Sequence, residues 1–165
     1  MREDEVYVAT KNWFIKNKFI ALAGQPPNGC DNIPTIEIKK NTNVSKGSFG
    51  SFKPDLIFAN QNYFILVECK PKDDLKDEQK LLEVDMDISR KKLLYFEITQ
   101  RGILTRRKLD LFFSTYEVFE KKLRYCLAHS EDSRLMSKLS TLSLRDLSGN
   151  GILTPATLPE YKFEF

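Results

Sequence analysis

The residues best placed to do chemistry are two carboxylates and a lysine. Asp55 follows Pro54 and opens the apolar run Leu56-Ile57-Phe58; after a gap of twelve residues, Glu68 closes a second apolar run and is followed by Cys69 and Lys70. Side chains alternate along a strand, so Glu68 and Lys70 share one face and Cys69 takes the other. A two-residue turn at Gln61-Asn62 pairs Asn60 with Tyr63 and sets Asp55 directly opposite Glu68. Facing Cβ atoms in an antiparallel pair lie about 5 Å apart, and two carboxylates at that separation repel unless a cation sits between them. Hard oxygen donors without imidazole point to Mg²⁺, with Mn²⁺ as a substitute. Lys70 beside such a site is suited to orient or deprotonate a water and to neutralise charge on a phosphate. Taken singly, each residue also has a plainer role: an acid at a strand start, or a Glu and a Lys where a sheet meets solvent. The joint pattern argues for more, because both carboxylates are expected partly buried at one end of a central hairpin, where an unpartnered charge is costly.

The elements that must hold these residues can be read outward from the hairpin. Residues 54–59 and 63–69 are β-type and apolar on both faces, as expected in a sheet covered by helices on both sides, and this makes the chain α/β. Upstream, Val6, Ala9 and Trp13 define one face of a helix over about residues 1–18, acidic at its start and lysine-rich at its end. Phe19 to Ala23 reads as a short strand, residues 24–29 as a Pro/Gly loop, Thr35 to Lys39 as a half-exposed strand and residues 41–53 as a polar, Gly/Ser-rich loop. Downstream, Asp73 to Lys92 reads as a charged helix, Leu93 to Thr99 as a strand, and Arg106 to Leu127 as a long helix with Leu109, Phe112, Phe113, Tyr116, Phe119, Leu123 and Cys126 inward. His129 then ends a helix as a dipole partner. The serine-rich tail suggests a short helix to Leu142, turns near Gly149 and Pro155, and an edge strand at Tyr161 to Phe165.

Helix with an N-terminal acid, strand, Pro54-Asp55, hairpin and Glu68-Cys69-Lys70, in that order, resembles the PD-(D/E)XK nuclease superfamily. That superfamily includes type II restriction endonucleases, archaeal Holliday junction resolvases and many repair nucleases. The likeness covers about residues 1–99. It implies a restriction-endonuclease-like core, with a central mixed sheet and a catalytic hairpin flanked by helices on both faces. It also implies that Asp55 and Glu68 coordinate Mg²⁺, that the backbone carbonyl of Cys69 adds a ligand, and that Lys70 positions the attacking water. Such families often add a glutamate from the first helix. Glu3 is expected in that role over Glu5, since Val6, Ala9 or Thr10, and Trp13 continue its face; an acid serving the helix dipole is the alternative for either. Gln79 and Lys80 on the following helix are candidates to face the same site.

The 165 residues carry 26 Lys and Arg against 23 Asp and Glu, and a single histidine. This size suits one domain with one core, here about residues 1–128 with an unassigned tail over 129–165. One histidine excludes chemistry that needs paired imidazoles. No dinucleotide glycine pattern, nucleophile elbow or P-loop supports a small-molecule enzyme. Three cysteines, Cys30, Cys69 and Cys126, without C-x-x-C spacing, read as reduced thiols. No run approaches the roughly 18 apolar residues of a membrane span, no secretory signal is evident, and a cytoplasmic location is expected. Net charge is only +3, so any electropositive face must come from clustering. Between Ser89 and Arg124 ten bases stand against four acids. Arg101, Arg106, Arg107 and Lys108, with Lys46 and Lys53 from the polar loop, are the expected DNA contacts. The expected function is a Mg²⁺-dependent deoxyribonuclease that hydrolyses phosphodiester bonds, a restriction-type endonuclease or its catalytic subunit. A junction resolvase or repair nuclease of the same fold, or a non-catalytic DNA-binding subunit, is the alternative. Neither the loop nor the tail looks like a base-reading element, so a homodimer or a partner subunit is expected to supply recognition.

Overall fold

Helix α1 spans Glu3–Lys16. It starts where Glu5 accepts the Arg2 backbone N–H (2.8 Å) and stops where Asn17 donates back to the Trp13 carbonyl (2.8 Å) and Lys18 turns left-handed at φ 68°. Its inward stripe is Val6, Ala9, Thr10, Trp13 and Phe14, the spacing of one helical face. The computed structural model describes residues 1–29, 31–39, 51–72, 75–131 and 137–164. Lys46, proposed to touch DNA, and Cys30 lie outside the described residues.

Six strands form one mixed sheet: β1 (Ile20–Gly24), β4 (Leu56–Ala59), β5 (Phe64–Lys70), β6 (Leu123–Ser130), β7 (Ser140–Leu144) and β8 (Gly151–Thr154), in the order β1-β4-β5-β6-β7-β8. A separate two-stranded ribbon joins β2 (Ile38–Lys39) to β3 (Ser51–Phe52). Strands β1, β4 and β5 run antiparallel, β5, β6 and β7 parallel, and β7 and β8 antiparallel. The hairpin is therefore internal, as expected. Its ladder pairs Leu56 with Val67 and Ala59 with Phe64, closed by Asn60 N–H donating to the Tyr63 carbonyl at 3.0 Å.

The sheet divides the core into two layers. Phe64 and Leu66 face the crossover that returns the chain to β6: α2 (Leu75–Asp85), α3 (Ile88–Gln100), α4 (Ile103–Arg106), a 3-10 turn at Asp110–Phe113, and α5 (Tyr116–Lys122). Ile65, Val67 and Cys69 face α1, where the Phe14 ring stacks on Phe58 with centroids 4.2 Å apart. Helices thus cover both faces, and the α/β class holds.

Four segments differ from the sequence expectation. The charged helix over Asp73 to Lys92 is α2, which ends at Asp85, and the first turn of α3, which starts afresh at Ile88. Leu93 to Thr99 is the second half of α3 and not a strand; Asp87 caps its start by accepting the Arg90 N–H (3.2 Å), and Leu94 and Ile98, the buried apolar pair, are four residues apart. The long helix over 106–127 is three short pieces followed by a strand. Lys108 takes φ 58°, which interrupts the helix, and Thr115 caps a new one by accepting the Val118 N–H (3.2 Å). Leu123 onward is extended because both faces of β6 find a core: Tyr125 and Leu127 on one side, Cys126 and Ala128 on the other. His129 accordingly lies buried in β6, beside Lys70 in the register, with Nδ1 donating to the Ser130 carbonyl (2.8 Å), and it ends no helix. The tail supplies β7 and β8 in place of a helix to Leu142. Tyr161 to Glu164 forms no strand, although Phe163 is buried beneath α1.

Candidate active site

Asp55 and Glu68 meet at the open end of the hairpin. The ladder register continues one step past Leu56, so Asp55 stands opposite Glu68, and each carboxylate bonds the other's strand. Asp55 Oδ2 accepts the Cys69 N–H at 2.8 Å, and Glu68 Oε1 accepts the Asp55 N–H at 3.3 Å. The mouth is thereby locked in one geometry by the pair itself. Glu68 is buried, and burial, then the charges of Asp55 and Asp77, push its carboxyl well above the usual range. Asp55 is also raised, by burial first, although the Cys69 N–H and Lys70 act against it. Two crowded carboxylates with raised proton affinity are a negative site short of a cation.

Lys70 ends β5 on the Glu68 face and donates to Glu3 Oε1 at 2.8 Å. Burial opposes its charge, but the Glu3 bond and the charges of Asp77, Glu3 and Asp55 outweigh that and raise its pKa. Lys70 is thus held as an ammonium, fit to orient a water or phosphate oxygen and poorly fit to remove a proton. Glu3 comes to the site from α1 through this ion pair, whereas Glu5 is spent on the helix start, accepting from Arg2. Cys69 turns its thiol into the α1 layer near Thr10, and burial pushes both it and Cys126 up, which suits inert thiols.

A hollow of about 330 Å³ opens over the carboxylates, and Lys53, Lys70, Lys80 and Arg90 line it. Among the described bases expected to touch DNA, Lys53 is the one in this wall. Gln79 turns away into a larger hollow of about 540 Å³ between α2 and α3, which shares Glu83 and Arg90 with the first. Arg106 and Arg107 line a third hollow, with Leu22, Pro34 and Ile103. It lies past β1 from the carboxylates: Gln25 N–H donates to the Asp55 carbonyl (2.8 Å), and the adjoining Gly24 N–H to that of Pro34 (2.9 Å). Arg101 is tied to the Thr35 carbonyl and to Glu97, while Lys108 sits exposed at the left-handed turn. The base-rich segment as a whole does not form one patch. Lys91 pairs with Glu120, Lys92 lies over the Tyr116 ring, and Lys122 donates to the Gln61 and Phe112 carbonyls at the other end of the hairpin.

Sequence reasoning missed Asp77. It is an acid in the first turn of α2, ordinarily a dipole partner, yet it is buried close enough to influence Glu68 and Lys70. Its position in the helix that follows Glu-x-Lys was the available signal.

The donor set suits a hard divalent cation in one respect and sets a limit in another. No three His, Cys, Asp or Glu side chains among the described residues converge to hold a metal by themselves. Mg²⁺, however, is ordinarily held by one or two carboxylates with waters and substrate phosphate oxygens completing the shell, and Asp55 with Glu68 matches that pattern. Comparison of the chain with protein-family models, with curated proteins and with solved structures finds no match. Among the described residues no helix is long and apolar enough to cross a membrane.

Proposed function

We propose that this chain is a Mg²⁺-dependent endodeoxyribonuclease of the PD-(D/E)XK type, acting on cytoplasmic DNA from a restriction-endonuclease-like core. The observation that carries this is the mutual lock of Asp55 and Glu68 across the hairpin mouth, with Lys70 on the Glu68 face. Asp55 and Glu68, with the Cys69 carbonyl, are the residues to hold the ion. Bound there, it supplies Lewis-acid polarisation of the phosphate and a water of lowered pKa.

The protein's own groups do the rest. The raised proton affinity of Glu68 falls once positive charge offsets Asp55 and Asp77, so Glu68 enters the loaded site ionised. Lys70, charged and tethered by Glu3, directs N–H donors at the water or at a non-bridging phosphate oxygen. Lys53, exposed in the wall of the hollow, adds positive charge on the rim, which favours a polyanion over a small neutral substrate; Arg90 is buried and paired with Asp87 at 3.5 Å. A site of this kind cuts one strand, so double-strand cleavage requires a second copy, a partner subunit or sequential nicking.

The test is nicking of supercoiled plasmid with Mg²⁺ by the wild type, Asp55→Asn, Glu68→Gln and Lys70→Ala. Wild-type nicking is expected, abolished by the first two and reduced about 10²- to 10³-fold by the third. A folded wild type that binds plasmid without cutting under Mg²⁺ or Mn²⁺ would leave a DNA-binding subunit in place of the enzyme. Wild-type rates in Glu68→Gln would remove the metal assignment.

A further inference from the structure

Asp77 is a buried carboxylate at the hairpin mouth that the roles above leave without a task. An acid in the first turn of a helix normally faces water, but the Asp77 side chain is 2% exposed. Its Oδ1 accepts Lys80 Nζ at 2.9 Å, and its Oδ2 is buried with no hydrogen-bond partner among the described residues. A carboxylate buried with unused acceptor capacity costs stability. The fold retains one here, beside the two motif carboxylates. The partner is placed differently: the Lys80 side chain is 50% exposed and lines the same hollow as Asp55, Glu68 and Lys70. One ammonium has three donors, so the bond to Asp77 leaves two for another acceptor. Lys70 and Lys80 are thus each tethered by a carboxylate, Glu3 from α1 and Asp77 from α2 respectively.

The geometry points to Asp77 as a positioning residue that fixes Lys80 in the wall of the Asp55–Glu68 hollow, where the Lys80 ammonium contacts a phosphate oxygen of bound DNA. The inference rests on the nuclease reading for its ligand and adds to it a second phosphate-facing lysine and the buried anchor that aims it. The alternative is an acid that serves the packing of α2 alone.

Two measurements on the full chain separate these. One is steady-state cleavage of a short duplex with kcat and KM resolved; the other is duplex binding by fluorescence anisotropy without divalent cation, across a salt series. Lys80→Ala is expected to lose at least tenfold in kcat/KM and to flatten the slope of log K against log salt by about 0.9. Lys80→Arg should recover the slope and part of the rate. Asp77→Asn should lower kcat about tenfold with the slope retained, since the lysine is still present and only its aim is lost. Asp77→Asn with a lowered melting temperature but wild-type kcat would overturn the positioning role, and an unchanged slope in Lys80→Ala would overturn the phosphate contact. Binding with the Lys80-dependent slope but no cleavage supports that contact and removes the nuclease reading. Cleavage with both variants unimpaired removes this inference alone.

Discussion

Glu68 concentrates the electrostatic tension of the molecule in one side chain. Its carboxyl is raised by burial and by Asp55 and Asp77, so the folded metal-free protein binds this proton more tightly than the unfolded chain does. Stability from such a group is present below its unfolded value, about pH 4.3, and is lost as pH climbs from there toward the raised folded value. Asp31 works in the opposite sense. Burial opposes its charge, but the hydrogen bonds from Lys11 and Tyr7 lower its pKa, and its contribution is lost on acidification. The informative quantity is therefore the difference between wild type and Glu68→Gln, which keeps an acceptor for the Asp55 N–H. In EDTA the melting temperature of Glu68→Gln should exceed that of wild type at about pH 7.5 and converge on it near pH 4.5. Added Mg²⁺ should raise the wild type at neutral pH and leave the variant unmoved. Parallel melting curves for the two proteins across this range would mean that Glu68 carries no such strain.

Among the elements, α1 does two jobs that separate by residue. Glu3 tethers Lys70, and Glu5 starts the helix. Because Glu3 and Lys70 are 40% and 32% exposed, their pair contributes under about 1 kcal/mol to stability. Glu3→Gln should accordingly leave the melting temperature nearly unchanged and lower turnover several-fold. Glu5→Ala should cost about 0.5–2 kcal/mol with turnover per folded molecule intact; the reverse assignment of losses would exchange their roles. The turn between β7 and β8 is docked on the same helix, with Asn12 donating to the Leu147 carbonyl at 2.7 Å. Gly149 there takes φ 81°, and a Cβ would sit 2.8 Å from the Asn12 carbonyl carbon and against the Trp13 backbone nitrogen. Left-handed strain and overpacking together give an expected loss of about 2–4 kcal/mol for Gly149→Ala, measurable by urea denaturation. A neutral result would mean that the turn is free to move off α1.

For the whole molecule, positive charge is distributed by hollows and not by sequence segment. Arg106 is committed to the Gly102 and Arg101 carbonyls, at 3.3 and 3.0 Å, whereas the side chain of Arg107, exposed beside it, forms no hydrogen bond or ion pair among the described residues. If the hollow past β1 carries the DNA backbone, Arg107→Glu should weaken binding and flatten the salt slope by about one, and Arg106→Glu by less. Equal slopes for wild type and Arg107→Glu would confine DNA contact to the hollow over Asp55 and Glu68.

How far the chain could be read without its fold depended on the range of the interactions involved. The pairing of Asp55 with Glu68 follows from a two-residue turn and strict alternation, both local, and the internal position of the hairpin follows from apolar residues on both its faces. The same is true of α1, whose stripe and end charges lie within sixteen residues. Residues 93–130 were misread because a short apolar run is compatible with helix or strand until a partner is known. Leu123 to Ser130 is a strand because β5 has an open edge in parallel register and helices stand ready to cover it. The order of elements points to the helix after Glu68-Cys69-Lys70 and to Lys80 within it, but no local pattern there shows that Asp77 is buried or that Lys80, and not Gln79, lines the hollow. Only the packing of α2 against the sheet removes water from one and aims the other, since burial is a property of what the rest of the chain brings near.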